Sequence, residues 1–178
     1  MLTSHHRRDR VDDGTADERA CRASPSSNFN HDMTERARRS EPVAPFELTI
    51  SVKPEDIDVL GHVNNVVYLR WVQDIAVAHW RSAATPEQQA ATIWVVVRHE
   101  IDYKHAAGAG DTIRARTWVG EATLSTFERH TELRRESDGR LLARALTLWC
   151  PLDPKSRRPI AVDDELRARF SVGERGSS

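Results

Sequence analysis

The chain is short of cysteine. Only Cys21 and Cys150 occur among 178 residues, far apart and in unlike contexts. They form no CxxC pair and no disulfide framework, which points to a reducing, cytoplasmic setting, with Cys150 as a small buried hydrophobe at a strand end. No apolar run approaches the ~20 residues that cross a bilayer, so no membrane partner is expected. Charge of one sign is also missing. The formal net charge is −1, which gives no bulk attraction for a nucleic acid. Lysine is scarce, with Lys53, Lys104 and Lys155 against many arginines. His99, His105 and His130 fall on strand patterns without ligand spacing, so neither a metal nor another cofactor is expected.

Apolar residues are also sparse over residues 1–44, where Phe29 is the sole aromatic. Such a segment cannot bury enough surface to offset its ordering entropy, and a disordered extension is expected. It is not a secretory signal, because no apolar stretch follows Arg7-Arg8. At Pro45 the character changes. Phe46, Leu48, Ile50 and Val52 alternate with polar residues, the mark of a half-buried strand, and Lys53-Pro54 ends it.

Next comes the densest cluster of polar chemistry in the chain, Asp56-Ile-Asp58-Val-Leu-Gly61-His62-Val-Asn64-Asn65-Val-Val-Tyr68. It opens a helix expected over Asn65–Ala83. There Val66, Leu69, Val72, Ala76 and Trp80 recur at helical spacing, flanked by Tyr68, Ile75 and His79. The apolar face is broad enough to suggest burial on most sides. Asn64 or Asn65 suits the N-cap, and Thr85-Pro86 stops the helix.

After a short helical or irregular link the period becomes two. Ile93, Val95, Val97, His99, Ile101 and Tyr103 alternate with Trp94, Val96 and Arg98 onward. Further strands are expected over 113–119, 127–135 and 141–150, in an antiparallel meander. Asp138-Gly139 signals a hairpin with a type I′ turn. Asp163–Phe170 reads as a terminal helix, followed by a flexible tail at 173–178. One strand, one long helix and four more strands without βα alternation give an α+β fold: a long central helix against a curved antiparallel sheet of about five strands.

The run Asp-x-Asp-x-x-Gly-His-Val-Asn-Asn-x-x-Tyr at the mouth of this helix, the order of elements, and the stretch Leu141–Trp149 before a Pro-rich segment resemble the hotdog-fold thioesterases. The 4-hydroxybenzoyl-CoA thioesterase-like and acyl-ACP thioesterase branches are the most similar. The resemblance covers residues 45–172. It implies a single hotdog domain that hydrolyses acyl-CoA, or alternatively acyl carrier protein thioesters. It also implies a homodimer or homotetramer with active sites at subunit interfaces. A non-catalytic acyl-CoA-binding protein is the reading from another class.

By the same resemblance, Asp58 occupies the catalytic position and the backbone amide of Asn65 polarises the thioester carbonyl. His62 matches a catalytic histidine of the acyl-ACP branch. The asparagine of that branch is Leu60 here, so its set is broken. Asp58 can act as nucleophile or as general base on water, and the sequence does not separate the two. A helix N-terminus favours developing negative charge, and one oxyanion donor contributes roughly 3–4 kcal/mol. Gly61 supplies the turn that brings backbone and substrate together. His62 suits orienting Asp58, binding the carbonyl or moving a proton. Asn64 and Tyr68 are expected at the substrate, with turn-fixing and packing as their plainer roles. Asp56 suits holding the loop. Arg98, Arg129, Arg157 and Arg158 are candidates for CoA phosphates, against the commoner role of solvated surface charge.

Overall fold

A computed structural model describes residues 45–123, 125–161 and 169–170. The expected N-terminal extension and C-terminal tail lie outside these residues, as does most of the expected terminal helix. The elements are β1 (Phe46–Ser51), α1 (Asn65–Ala83), α2 (Pro86–Ala91), β2 (Ile93–Tyr103), β3 (Thr112–Ala122), β4 (Phe127–Arg135) and β5 (Leu141–Leu152). All strands join one antiparallel sheet in the order β1-β3-β4-β5-β2. This is the α+β hotdog arrangement that the sequence suggested.

The meander is only partly present. β3, β4 and β5 are sequential neighbours, but β2 pairs with β5 at the far edge, so the segment from Lys104 to Asp111 is a crossover and not a hairpin turn. It passes beside the start of α1. The Val63 amide donates to the Ala107 carbonyl at 2.9 Å, and the Val52 amide to the Asp111 carbonyl at 3.0 Å. Spacing along the chain cannot tell a Gly/Ala hairpin from a Gly/Ala crossover; pairing partners decide it.

The helix lies on one face of the sheet. Val67, Tyr68, Trp71, Val72 and Ile75 pack on Ile113, Leu133, Leu142 and the small side chains of Ala115, Ala143 and Ala145. Those alanines let the helix approach the sheet closely. In a single chain, however, α1 is not buried on most sides. Arg70, Gln73 and Asp74 face out, and Val66, expected in the apolar row, is 72% exposed.

Two local corrections have plain causes. First, a β-bulge lies between Val96 and Arg98. One extra residue reverses the in/out parity of everything before it. Trp94 and Val96 therefore share the helix-facing side with His99, Ile101 and Tyr103, where uniform alternation put them on the opposite face. Second, the Asp138-Gly139 hairpin forms, but its loop has four residues. The Arg135 amide bonds the Arg140 carbonyl at 2.9 Å and the Gly139 amide bonds the Arg135 carbonyl at 2.9 Å. Only Gly139 has positive φ (68°), so the turn is not type I′, which needs two such residues.

Candidate active site

The segment before α1 is built as a closed loop. Its base is Asp56, 1% exposed. Its carboxylate accepts the Lys53 amide at 3.0 Å and the Arg70 guanidinium at 2.5 Å. Burial pushes its pKa up, but the Lys53 amide and Arg70 outweigh this and hold it below the ordinary value. Asp56 thus anchors the loop to α1, as the sequence suggested.

Above it, a bridge between Ile57 and Val63 closes the loop. Within it the Asp58 amide donates to the His62 carbonyl at 2.8 Å and the Gly61 amide to the Asp58 carbonyl at 3.0 Å. Gly61 sits at φ 78°, a left-handed conformation that side chains disfavour. Asp58 Oδ1 accepts the Leu60 amide at 2.8 Å and the His62 amide at 3.5 Å. Oδ2 has no protein partner among the described residues. One oxygen fixes the turn and the other is open.

Asn64 is the N-cap. Its side chain accepts the Val66 amide at 3.0 Å, and its carbonyl accepts the Val67 amide at 2.9 Å. The Asn65 amide donates to no acceptor among the described residues. It is the open N–H of the helix mouth, where the macrodipole favours negative charge.

Asp58, His62, Asn65, Tyr68, Tyr103 and His105 line one cleft of about 380 Å³, with Asn64 and Lys104 also on its wall. Of the six residues expected at the site, Gly61 alone does not line it; its part is the backbone turn. Tyr68 is 2% exposed, and its hydroxyl accepts the Ala107 amide at 2.8 Å. Burial raises its pKa. Its hydroxyl oxygen therefore holds the crossover in place. The His62 ring makes no hydrogen bond among the described residues; only its backbone touches Asp58.

The sequence missed Tyr103, Lys104 and His105. The Tyr103 hydroxyl donates to the Asn65 carbonyl at 3.1 Å, and its ring meets Tyr68 edge-on at 5.6 Å. The signal lay in the topology: the end of β2 reaches the helix mouth only because β2 is an edge strand followed by a crossover.

None of the four arginines considered for phosphates lines this cleft. Arg98 pairs with Glu100, and Arg157 and Arg158 are exposed. Arg129 is not a surface charge at all, being 8% exposed on the helix-facing side of β4. The cation of the cleft is Lys104, whose Nζ lies 2.9 Å from an Asp102 carboxylate oxygen. Cys150 is fully buried as expected but disulfide-bonded. That corrects the expected free thiol and removes the support it lent to a reducing compartment. Among the described residues no helix is long and apolar enough to cross a membrane.

The thioesterase-like superfamily matches this chain over residues 52–170. A chloroplastic acyl-[acyl-carrier-protein] hydrolase of Cuphea viscosissima is 26% identical over 131 residues, covering 73% of this chain and 32% of that protein. The chain thus spans about a third of the plant relatives' length. The long-chain acyl-CoA thioesterase FadM of Escherichia coli is 26% identical over 130 residues, covering 70% of this chain and 96% of that one. Among solved structures, a 1,4-dihydroxy-2-naphthoyl-CoA thioesterase from Synechocystis superposes with a TM-score of 0.63 at 19% identity, over 71% of this chain and 95% of that one. A Thermus thermophilus thioesterase complexed with coenzyme A and Zn gives 0.61 at 23% identity, over 69% and 94%.

Proposed function

Given that the chain belongs to the thioesterase-like superfamily, we propose that it hydrolyses acyl-CoA to a carboxylic acid and CoA in the cleft at the start of α1. One observation carries this reading: an Asp58 carboxylate oxygen and the Asn65 amide, neither with a partner among the described residues, line the same cleft. The thioester carbonyl lies against the Asn65 N–H, where the helix N-terminus stabilises the developing oxyanion. Asp58 attacks the carbonyl carbon directly, or takes a proton from the water that does. The C–S bond then breaks and CoA leaves as thiolate; where Asp58 is the nucleophile, water then hydrolyses the resulting mixed anhydride and releases the acid and Asp58. His62 lines the same cleft and is placed to meet the thioester or the departing sulfur.

The second reading is an acyl carrier protein thioester as substrate. It is supported by the plant relatives' stated activity, and opposed by Leu60 standing where that branch has asparagine. The protein also works as an oligomer. Edge strand β2 exposes Val95, Val96 and Val97 at 36–39%, an apolar edge that a soluble monomer ordinarily protects. Val59, Leu60 and Val66 are exposed beside the cleft at 101%, 76% and 72%, and a second copy lying there encloses the acyl group.

The test is release of free thiol from short-, medium- and long-chain and aryl acyl-CoAs, with the same acyl groups on carrier protein in parallel. Turnover of acyl-CoA is expected. Turnover only on carrier protein selects the second reading, and binding without turnover on either makes the protein a binder.

A further inference from the structure

A second cavity, of about 310 Å³, lies at the other end of α1. It opens beside Gln73, Val77 and Trp80, roughly 12–22 Å along the helix from Asn65 at 1.5 Å per residue. Its walls carry Trp80, Trp94, Phe127, Trp149 and Phe170. Trp94 enters because of the bulge in β2.

Hydrogen-bond donors dominate its charged and aromatic polar groups. Arg129 is 8% exposed. Its Nη1 donates to His79 Nδ1 at 2.9 Å and Thr117 Oγ1 at 3.3 Å; Nη2 and Nε have no acceptor among the described residues. Burial, then the nearby Arg129 charge, lowers the His79 pKa to about 4, so at neutral pH its ring is an uncharged acceptor. Burial lowers that of Arg129 to about 10, so the guanidinium stays charged. No carboxylate among the described residues pairs with it. The indole N–H groups of Trp94 and Trp149 are buried without a partner, and indole can only donate. The other polar lining, Gln73 and Thr92, is uncharged.

A buried cation with neutral partners is costly, and so is an orphaned buried donor. An anionic acceptor for Arg129 is the group that the described residues do not supply. The surrounding rings require that the rest of the ligand be apolar. We propose that this cavity binds an apolar carboxylate, an aryl or medium-chain alkyl acid, whose carboxylate pairs with Arg129 and whose hydrocarbon lies among Trp80, Trp94, Phe127 and Trp149. The site is separate from the Asp58 cleft and does not depend on thioester hydrolysis.

Titration calorimetry of the full chain with decanoate and with 2-naphthoate, against decanol as the uncharged control, tests this. At least one acid is expected to bind one per chain, at least tenfold tighter than decanol binds. Arg129→Met is expected to remove that preference while melting no lower than the parent, since it deletes a buried charge. Trp94→Phe, which keeps a ring and loses the N–H, is expected to weaken the acid several-fold and provides a second reading should Arg129→Met fail to fold. Asp58→Asn is expected to leave acid binding unchanged. Failure of both acids to bind, decanol binding as tightly as the acids, or acid affinity surviving both cavity variants overturns the proposal. So does loss of acid binding in Asp58→Asn, which places the acid in the other cleft.

Discussion

The hydroxyl oxygen of Tyr68 and the amide of Ala107 are 2.8 Å apart, and this one bond joins the first turn of α1 to the β2–β3 crossover. Both residues are buried, at 2% and 0% exposure. Tyr68→Phe keeps the ring and its edge contacts with Trp71 and Tyr103 but leaves a buried N–H without an acceptor. That costs about 1–3 kcal/mol. Urea unfolding should show the loss as a lower midpoint with unchanged slope. The crossover carries Lys104, His105 and Ala106 of the cleft wall, so KM for acyl-CoA should rise as well.

Asp58→Asn separates chemistry from structure. The Asn side-chain oxygen can still accept the Leu60 amide that Asp58 accepts at 2.8 Å, so the turn survives and stability should change by less than about 0.5 kcal/mol. The proposed nucleophile or base is gone, and kcat should fall about a hundredfold or more. Thiol release at saturating acyl-CoA, with a melting curve of the same sample, decides it. An unchanged kcat assigns the base to another residue, with His62 the first to test.

Arg70 and Asp56 set a different balance. Arg70 is half exposed while Asp56 is 1% exposed. Arg70→Met leaves a buried carboxylate held by the Lys53 amide and the Lys53 charge, which should cost about 1–2 kcal/mol. The Asp56 pKa is lowered in the fold. Its stabilising contribution is therefore present above the unfolded value and lost as pH falls through the folded one. In the variant, acid unfolding should begin at higher pH, measured by circular dichroism between pH 6 and 2.

His79 titrates in the same sense for another reason. Burial and the adjacent Arg129 lower its pKa from 6.5 to about 4, so protonation opposes the folded state. Its contribution is complete above the unfolded value of 6.5 and is lost as pH falls from 6.5 toward 4. The ring is only part-buried, so about 2 kcal/mol is expected over that window, less than the full shift implies. His79→Gln retains an acceptor for Arg129 and cannot titrate. Its stability should be flatter between pH 6.5 and 4 than that of the parent.

Elements with local causes were legible in the sequence. The bounds of α1 follow from an Asn cap, an apolar period and a Thr-Pro stop, and those of β4 from alternation ended by a turn. Asp58, Gly61 and Asn65 could be placed because one loop and one helix start hold them. What was not legible depends on pairing across the sheet. Nothing near Tyr103 says that it ends an edge strand, and nothing near Val97 says that it is the bulged residue. Arg129 looked like any other strand arginine. Its burial follows from facing His79, fifty positions away in the chain, and only the register of β4 against its neighbours puts it there.

Gly61 isolates the role of the turn itself. Its φ is 78°, and a Cβ there meets no atom within 4 Å. Substitution is therefore opposed by backbone conformation and not by crowding. Gly61→Ala should cost about 1–2 kcal/mol, while Gly61→Asn, whose side chain tolerates the left-handed region, should cost less. The loop can escape the strain by relaxing, and relaxation would move the Leu60 and His62 amides that hold Asp58 Oδ1. Activity should then fall further than stability does. Thiol-release rates and unfolding midpoints for the pair of variants measure the two separately. Equal activity in parent, Ala and Asn forms would mean that Asp58 does not depend on this turn for its position.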